Sequence, residues 1–259
     1  MLQIAVQIAF RGEAEFDNIH SVVPWPDAPP LLAGRIIPLS NDSPGTRSPV
    51  ALRMIKTHCR ADQVPYSPHS HYIVLVRDPK DAIVSGYYFL RSLIYGPLMW
   101  SVERWIDLYL SGESPLGSWA SHLASYWELR ERQNVLFLTY ETLARNPHET
   151  IAEIARFLRV ELSRSQLEAI VEGSSFAAMR RAAAKFDTGR IVPWGAEQSM
   201  LRSGRSGAAR ELLAPAVQRR IDDHYRAELR SLGCDFPYDQ MFVRTESSRG
   251  EFTVVEHTT

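Results

Sequence analysis

Residues 72–89 read YIVLVRDPKDAIVSGYYF, and this stretch decides the fold class. Its first part, residues 72–76, is a continuous apolar run of the kind found in strands buried on both faces of a parallel sheet. Asp78 and Pro79 follow with the residue types of a helix N-cap and a first helical position, so we predict a helix through about Leu93. The stretch therefore predicts a strand that leads directly into a helix.

The same alternation continues along the chain. Residues 135–138 (VLFL) predict a second buried strand, and residues 148–158 predict an amphipathic helix. Further helices are predicted over residues 2–10, 31–33, 101–110, 117–131 and 214–232, a strand over 50–56, and loops over 22–50 and 185–210. This order predicts an α/β protein with three layers, a central parallel sheet flanked by helices.

The composition is that of a folded protein with balanced charge. Of the 259 residues, 45% are hydrophobic and 23% are charged, which is enough to build one full core. The net charge of -1 argues against nucleic acid as a partner. No run approaches the roughly 18 apolar residues of a membrane span, and the start does not resemble a signal peptide. Cys59 and Cys234 lie far apart, which disfavours a disulfide and favours a cytoplasmic location.

Arg77 is a candidate anion-binding residue. It follows the buried strand directly, where open α/β sheets bind ligands, and the helix that begins at Pro79 offers unpaired N–H groups. Ser85 lies one helical turn after Asp81 and can add a hydroxyl donor on the same face. A structural alternative stays open, in which Arg77 only pairs with Asp78 or Asp81.

Lys56 and His58 are a candidate proton-transfer pair. In an extended segment the two side chains share a face, and the lysine charge favours the neutral imidazole that a general base needs. The alternative is a structural histidine at a strand end. A zinc site with His69 and His71 is disfavoured because no carboxylate lies at a recognisable ligand spacing, so no metal is predicted.

Several blocks together resemble the cytosolic-type sulfotransferases that use 3′-phosphoadenosine-5′-phosphosulfate (PAPS). They agree in order and spacing over roughly residues 1–240. The blocks are Lys56-Thr57-His58, Arg77 through Phe89 with Ser85, Gly117-Ser118-Trp119 with His122 and Trp127, Tyr140-Glu141 with Asn146-Pro147, Ser175-Phe176 with Met179, and Arg202-Ser203-Gly204. The resemblance implies a P-loop-kinase-like sulfotransferase fold, with residues 1–241 as a single domain and 242–259 as a polar tail.

The resemblance also implies a role for each matching residue. PAPS is the implied co-substrate, His58 takes the proton from an acceptor hydroxyl or amine, and Lys56 stabilises charge on the transferring group. The implied nucleotide-binding residues are Arg77 and Ser85 at the 3′-phosphate, Arg202 and Gly204 in a loop that clasps it, Tyr140 and Phe176 at the adenine, and Ser175 and Met179 in the same block as Phe176.

The implied acceptor is a small molecule. Tyr95, Trp100, Trp105 and Trp119 lie in the segment that lines the acceptor pocket in members of the family, which favours an aromatic or apolar acceptor. The alternative is that these aromatic residues belong to the core. Neither a membrane nor a nucleic acid is implied as a partner. Residues 209–219 do not reproduce the dimer segment of animal members, so the oligomeric state is not predicted.

The pattern departs from the family at its phosphate loop. No stretch of the chain matches the Pro-Lys/Arg-Ser-Gly-Thr-Thr-Trp loop that follows the family's first strand and wraps the 5′-phosphosulfate. Residues 43–48 (SPGTRS) have a similar composition but predict a surface turn. Met1 aligns with the helix after that loop, so we expect the first strand, missing here, and the loop to be encoded upstream. A second departure is Ser203, which replaces the lysine of Arg-Lys-Gly.

Two competing functions follow from these departures. The first is a catalytically impaired protein that binds 3′-phosphoadenosine nucleotides without transferring sulfate. The second is a relative of nucleotide-dependent kinases, which is disfavoured because kinases also require a phosphate loop and no Mg²⁺-binding pair of aspartates is apparent.

Overall fold

A computed structural model describes residues 1–113, 117–186, 204 and 207–243 of the chain. Most of the predicted loop 185–210, including Arg202 and Ser203, lies outside the described residues, as does the predicted tail beyond residue 243.

Two parallel strands form the centre of the described structure. β1 (Tyr72–Val76) pairs with β2 (Val135–Thr139), and Tyr72 lies opposite Val135 while Val76 lies opposite Thr139. Both predicted strands are thereby confirmed. A parallel pair with helices packed around it is the α/β architecture that the alternating pattern predicted.

Helices make up most of the remaining regular structure. They are α1 (Leu2–Ala9), α2 (Ser43–Arg47), α3 (Pro79–Leu90), α4 (Val102–Leu110), α5 (Trp119–Trp127), α6 (Tyr140–Arg145), α7 (Pro147–Phe157), α8 (Arg164–Gly173), α9 (Phe176–Arg181), α10 (Pro215–Ser231) and α11 (Tyr238–Phe242). A π-helical turn, Arg91–Tyr95, continues α3, and 3₁₀ turns span Ile19–Ser21, Pro30–Arg35, Ala61–Gln63, Gly96–Leu98, Ala183–Phe186 and Ala208–Glu211.

The two faces of the strand pair contribute to different hydrophobic clusters. Val74 and Val76 belong to a large cluster with α3, α4, α5 and α10, whereas Leu138 of β2 belongs to a second cluster with α1, α7 and α8. Alternate residues of a strand point to opposite faces, which explains this division. The strand pair is therefore the middle layer between two groups of helices.

Trp105 and Trp119 are two of the four aromatic residues for which both an acceptor pocket and the core remained possible locations. Trp105 is fully buried, and its Nε1–H donates to the carbonyl of Ile83 at 2.8 Å. The ring of Trp119 packs against Tyr225 and Phe236 at centroid distances of 5.1 and 6.4 Å. A buried indole needs such a partner for its N–H. The core alternative therefore holds for these two tryptophans.

The predicted strand at residues 50–56 is wrong. These residues have no regular structure, although Val50, Leu52 and Met54 pack partly buried against the second cluster. The backbone N–H of Lys56 donates to the carbonyl of Pro24 at 2.9 Å, which is a contact with a loop and not with a strand. The alternation of apolar residues indicates partial burial, which the structure shows for this segment. An extended segment forms a strand only where a neighbouring strand provides backbone hydrogen-bond partners.

The predicted surface turn at residues 43–48 is also wrong, because residues 43–47 form the short helix α2. The side chain of Asn41 accepts the N–H of Ser43 at 3.0 Å, and Pro44 lies in the first turn, where its missing N–H costs nothing. Pro44 and Gly45 are buried.

Four further helices, α6, α8, α9 and α11, were not predicted. α8 carries a recognisable signal, because Ser163 and Gln166 form a capping box at its start. None of the helices in the described ranges has both the length and the apolar composition that crossing a membrane would require.

Candidate active site

Trp25 brings Lys56 and His58 together. The ammonium of Lys56 lies 3.5 Å from the centroid of the Trp25 ring, and the His58 ring meets the same indole edge-on at 5.0 Å. A lysine over an aromatic face gains a cation–π attraction. The predicted pair thus converges on one aromatic side chain, although it does so from an irregular segment.

Helix α5 holds the segment that follows His58. The hydroxyl of Tyr126 donates to the carbonyl of Cys59 at 3.1 Å, and the N–H of Ala61 donates to the Ser125 hydroxyl at 3.0 Å. These bonds are made by the backbone of Cys59 and Ala61, on either side of Arg60, so the backbone after His58 is fixed at two points. His58 itself keeps 51% of its side-chain surface exposed, which leaves room for an acceptor to approach.

The surroundings of His58 keep its imidazole neutral. Burial and the charge of Lys56 lower the pKa of His58 from 6.5 to about 4. Burial lowers the pKa of Lys56 itself from 10.5 to about 8, against the opposing effect of Asp27. Near neutral pH the site therefore holds a neutral imidazole beside an ammonium group, which is the combination that proton abstraction requires.

Two more histidines lie close to this pair. His20 is buried, stacks on Trp25 at 5.8 Å, and has a pKa lowered to about 4 by burial and by Lys56. Burial also lowers the pKa of His122 on α5, and a proton on His122 would further lower the pKa of His58. Both rings favour the neutral form, so Lys56 supplies the positive charge of this cluster.

Arg77 lies at the carboxyl end of β1, as predicted. Its guanidinium lies 4.5 Å from the centroid of the Tyr140 ring and 3.8 Å from a carboxylate oxygen of Asp81. Its Nε is buried without a hydrogen-bond partner in the described residues. Asp81 does approach Arg77, as the structural alternative predicts. The buried Nε donor of Arg77 still has no partner, which is costly, and an anion is the kind of ligand that would satisfy it.

The start of α3 is capped in the way the sequence predicts. The Asp78 carboxylate accepts the N–H of Lys80 at 2.9 Å, and Glu141 accepts the N–H of Asp78 at 3.1 Å. Burial raises the pKa of Asp78 to about 6 and also raises the pKa of Glu141. Ser85 lies farther along α3 and is exposed, so its hydroxyl is open to a ligand.

Phe176 and Gly204, two further candidate nucleotide-binding residues, lie close to each other. Gly204 has φ of +62°, and a Cβ atom placed there would lie 2.2 Å from the Phe176 ring. Ser175 caps α9 by accepting the N–H of Ala178 at 3.2 Å, and Met179 lies one turn beyond Phe176 on the same helix. The close approach requires glycine at 204, because any side chain would overlap the ring.

Asp81 contacts both Arg77 and the backbone that follows Gly204 in the chain. Its side chain is fully buried, and its two oxygens accept the N–H groups of Gly207 and Ala209 at 2.6 and 2.8 Å. Gly207 and Ala209 come directly after the segment that carries Gly204. One carboxylate therefore links Gly207 and Ala209 to α3, the helix that carries Ser85.

Replacing Asp81 by alanine is expected to destabilise the protein by about 2–5 kcal/mol, because two N–H groups lose their acceptor and each such loss costs about 1–3 kcal/mol. Chemical denaturation followed by circular dichroism measures the change. Glu168→Ala is the matched control, since Glu168 forms an exposed pair with Arg164 and its loss should cost under about 1 kcal/mol. Equal midpoints for the two variants would contradict this role of Asp81.

Sequence reasoning missed Trp25 and Asp27. Both lie in the Pro-rich segment that was predicted only as a loop, and they reach Lys56 and His58 through space. No spacing rule connects residues separated by an irregular loop. Within the described ranges, no group of three or more histidine, cysteine, aspartate or glutamate residues is arranged to hold a metal ion.

Comparison with known proteins shows which family the sequence of this chain matches. A sequence profile of the sulfotransferase domain matches residues 1–233. Human sulfotransferase 1C2 is 26% identical over 191 residues, which are 71% of this chain and 64% of the relative. Mouse sulfotransferase 1B1 is 38% identical over 131 residues, which are 49% of this chain and 44% of the relative.

A solved structure has the same fold. Retinol dehydratase in complex with androsterone and the inactive cofactor PAP superposes with a TM-score of 0.64 at 21% identity, covering 79% of this chain and 58% of that one. The chain thus spans less than two thirds of the length of these relatives. Because the sulfotransferase domain matches nearly the whole of the described sequence, this chain belongs to the sulfotransferase family.

Proposed function

We propose that this chain transfers the sulfuryl group of PAPS to a hydroxyl or amine of a small-molecule acceptor. The observation that carries the proposal is the exposed, neutral imidazole of His58 beside the ammonium of Lys56. A neutral histidine accepts a proton, and a neighbouring cation stabilises negative charge that develops during transfer. The match to the sulfotransferase domain supports the same assignment.

In the proposed reaction His58 removes the proton from the acceptor group as the acceptor oxygen or nitrogen attacks the sulfur atom. A new bond forms between the acceptor and sulfur, the bond from sulfur to the bridging oxygen breaks, and 3′-phosphoadenosine-5′-phosphate (PAP) leaves. Lys56 stabilises the charge on the transferring group. Such transfers depend on positioning and charge stabilisation more than on covalent catalysis.

The proposed nucleotide site consists of the residues that the family resemblance assigns. Arg77 and Ser85 would bind the 3′-phosphate, supported by the buried and unpartnered Nε of Arg77. Tyr140 and Phe176 would line the adenine, with Ser175 and Met179 beside them. Gly204 would contribute its backbone, and Arg202 is proposed from the sequence alone. The PAP in the related crystal structure supports PAPS as co-substrate.

An apolar or aromatic acceptor is proposed. Its support is the androsterone bound to the related retinol dehydratase, since androsterone is an apolar alcohol. A cytoplasmic location is proposed because Cys59 and Cys234 are free thiols, which a reducing compartment preserves. We further propose residues 1–241 as one domain and 242–259 as a polar tail.

The pH dependence of kcat/KM is expected to have two limbs. Activity should fall as the pH drops through about 4, because protonated His58 cannot take a proton, and fall again above about 8, because Lys56 loses its charge. Initial rates at limiting acceptor measure both limbs. Lys56→Arg keeps a charge at high pH and should remove the alkaline limb. An acidic limb near the ordinary histidine value of 6.5 would contradict the proposed environment.

A second proposed function is nucleotide binding without transfer, since the buried and unpartnered Nε of Arg77 supports an anion site whether or not sulfate is transferred. Calorimetric titration with PAP, run beside a sulfate-transfer assay, separates the two functions. Binding with transfer supports the enzyme, and binding without transfer supports the second function. Absence of both would refute the two together.

A further inference from the structure

Asp27 reaches His58 from the Pro-rich segment near the N-terminus. One oxygen of its carboxylate, Oδ2, accepts the backbone N–H of His58 at 2.8 Å and lies 3.5 Å from Nδ1 of the same residue. The other oxygen, Oδ1, is buried and has no hydrogen-bond partner in the described residues. The carboxylate thus holds the backbone of His58 and also faces its ring.

The carboxylate of Asp27 remains ionised at the pH where a sulfotransferase works. Burial acts to raise its pKa, but hydrogen bonds, first of all the one from the backbone N–H of His58, outweigh burial and lower the pKa below its ordinary value. Only 21% of the side chain is exposed. A partly buried anion interacts with its neighbours more strongly than an exposed one.

The other groups around His58 leave Asp27 as its anionic neighbour. The charged and titratable groups that act on His58 among the described residues are Lys56, Asp27 and His122. Lys56 and His122 disfavour a protonated imidazole, and Asp27 favours it. Trp25 meets the ring edge-on and limits its rotation.

We propose that Asp27 is a positioning residue that holds the His58 ring with a proton on Nδ1, so that Nε2 is free to accept the proton of the acceptor. The inference rests on the proposed function. The distance of 3.5 Å is long for a hydrogen bond, but such contacts commonly shorten when substrate binds. During transfer Nε2 gains the acceptor proton, Nδ1 keeps its own, and the Asp27 carboxylate offsets the charge of the resulting imidazolium.

The variant Asp27→Asn separates positioning from a merely structural role. An asparagine oxygen in the place of Oδ2 still accepts the backbone N–H of His58, so the loop contact is kept. That oxygen is uncharged and lies 3.5 Å from Nδ1, so without the negative charge it holds a proton on Nδ1 only weakly. Asp62→Asn is the matched control. Asp62 lies in the same part of the chain, is exposed, and pairs with Arg60 instead of His58.

Both variants and the wild type would be compared by ¹⁵N NMR of the histidine rings, with the His58→Ala spectrum identifying the His58 signals. We expect Nδ1–H to be the main tautomer in the wild type and in Asp62→Asn, and to lose its majority in Asp27→Asn. We also expect kcat for sulfate transfer to fall by about 10²- to 10⁴-fold in Asp27→Asn alone, because a ring in the wrong tautomer cannot act as the general base. The KM for PAPS and the melting temperature should stay unchanged.

An unaltered tautomer in Asp27→Asn would overturn the inference, as would a kcat equal to that of Asp62→Asn in an active protein. A loss of kcat in Asp27→Asn that is accompanied by a lowered melting temperature would assign Asp27 a structural role and would also overturn the inference. If even the wild type transfers no sulfate, the proposed function fails, and the NMR comparison still decides whether Asp27 orients His58.

Discussion

Replacing His58 by alanine is expected to lower kcat for sulfate transfer by about 10²- to 10⁴-fold, the usual cost of losing a general base. The side chain is half exposed and its imidazole is neutral, so it can take a proton at physiological pH. It lies in the cluster that His20, Lys56 and His58 form around Trp25. The proposed nucleotide residues lie around Arg77 and Phe176 instead. The affinity for PAP should therefore change by less than about twofold.

Steady-state rates and calorimetry with PAP measure these two effects separately. His69→Ala is the control, because His69 lies exposed in a turn and is not part of the cluster. Its rate should equal that of the wild type. Near-normal turnover in His58→Ala would remove His58 from the reaction, and with it the main physical support for the proposed function.

Replacing Gly204 by alanine is expected to weaken PAP binding by at least about tenfold. The φ angle of +62° disfavours any residue with a Cβ atom by about 1–2 kcal/mol, and that atom would also overlap the Phe176 ring at 2.2 Å. Either Phe176 or the backbone at 204 must move. Because that movement displaces Gly204 or Phe176 from the arrangement proposed to bind PAP, restoring the arrangement on binding would cost about 1–2 kcal/mol, and about 1.4 kcal/mol corresponds to a factor of ten.

Gly233→Ala provides a control for the backbone term. Gly233 has φ of +65°, but no atom lies within 4 Å of the position its Cβ would take. It should lower the melting temperature through backbone strain and leave the Kd for PAP unchanged. If Gly204→Ala and Gly233→Ala bind PAP equally well, the contact between Gly204 and Phe176 has no part in nucleotide binding.

The sequence-based predictions succeeded where burial and capping agreed locally. The apolar run at residues 72–76 lies between helices on both sides, and Asp78 with Pro79 begins α3 as predicted. The strand at residues 50–56 failed because a ladder partner is a long-range property. Helix α8 was missed because few of its residues are buried, which weakens the apolar period, although its capping box was present.

The candidate site likewise contains residues that the sequence could suggest and residues that it could not. Lys56, His58 and Arg77 were proposed because residue type and position suggested chemistry, and the family resemblance added Tyr140, Phe176 and Gly204. The structure brings Arg77 to Tyr140 and Gly204 to Phe176. Asp27 had no local signal, because its contact with His58 depends on how a Pro-rich loop folds back across the chain.

The most direct test of the central claim is transfer of ³⁵S from labelled PAPS to a panel of phenols, alcohols, amines and glycosides. We expect a labelled product in the presence of at least one acceptor class, with one PAP released for each sulfate transferred. We also expect that His58→Ala binds PAP but forms this product at least about 10²-fold more slowly. Binding of PAP by the wild type with no labelled product from any acceptor class would contradict the proposed transfer.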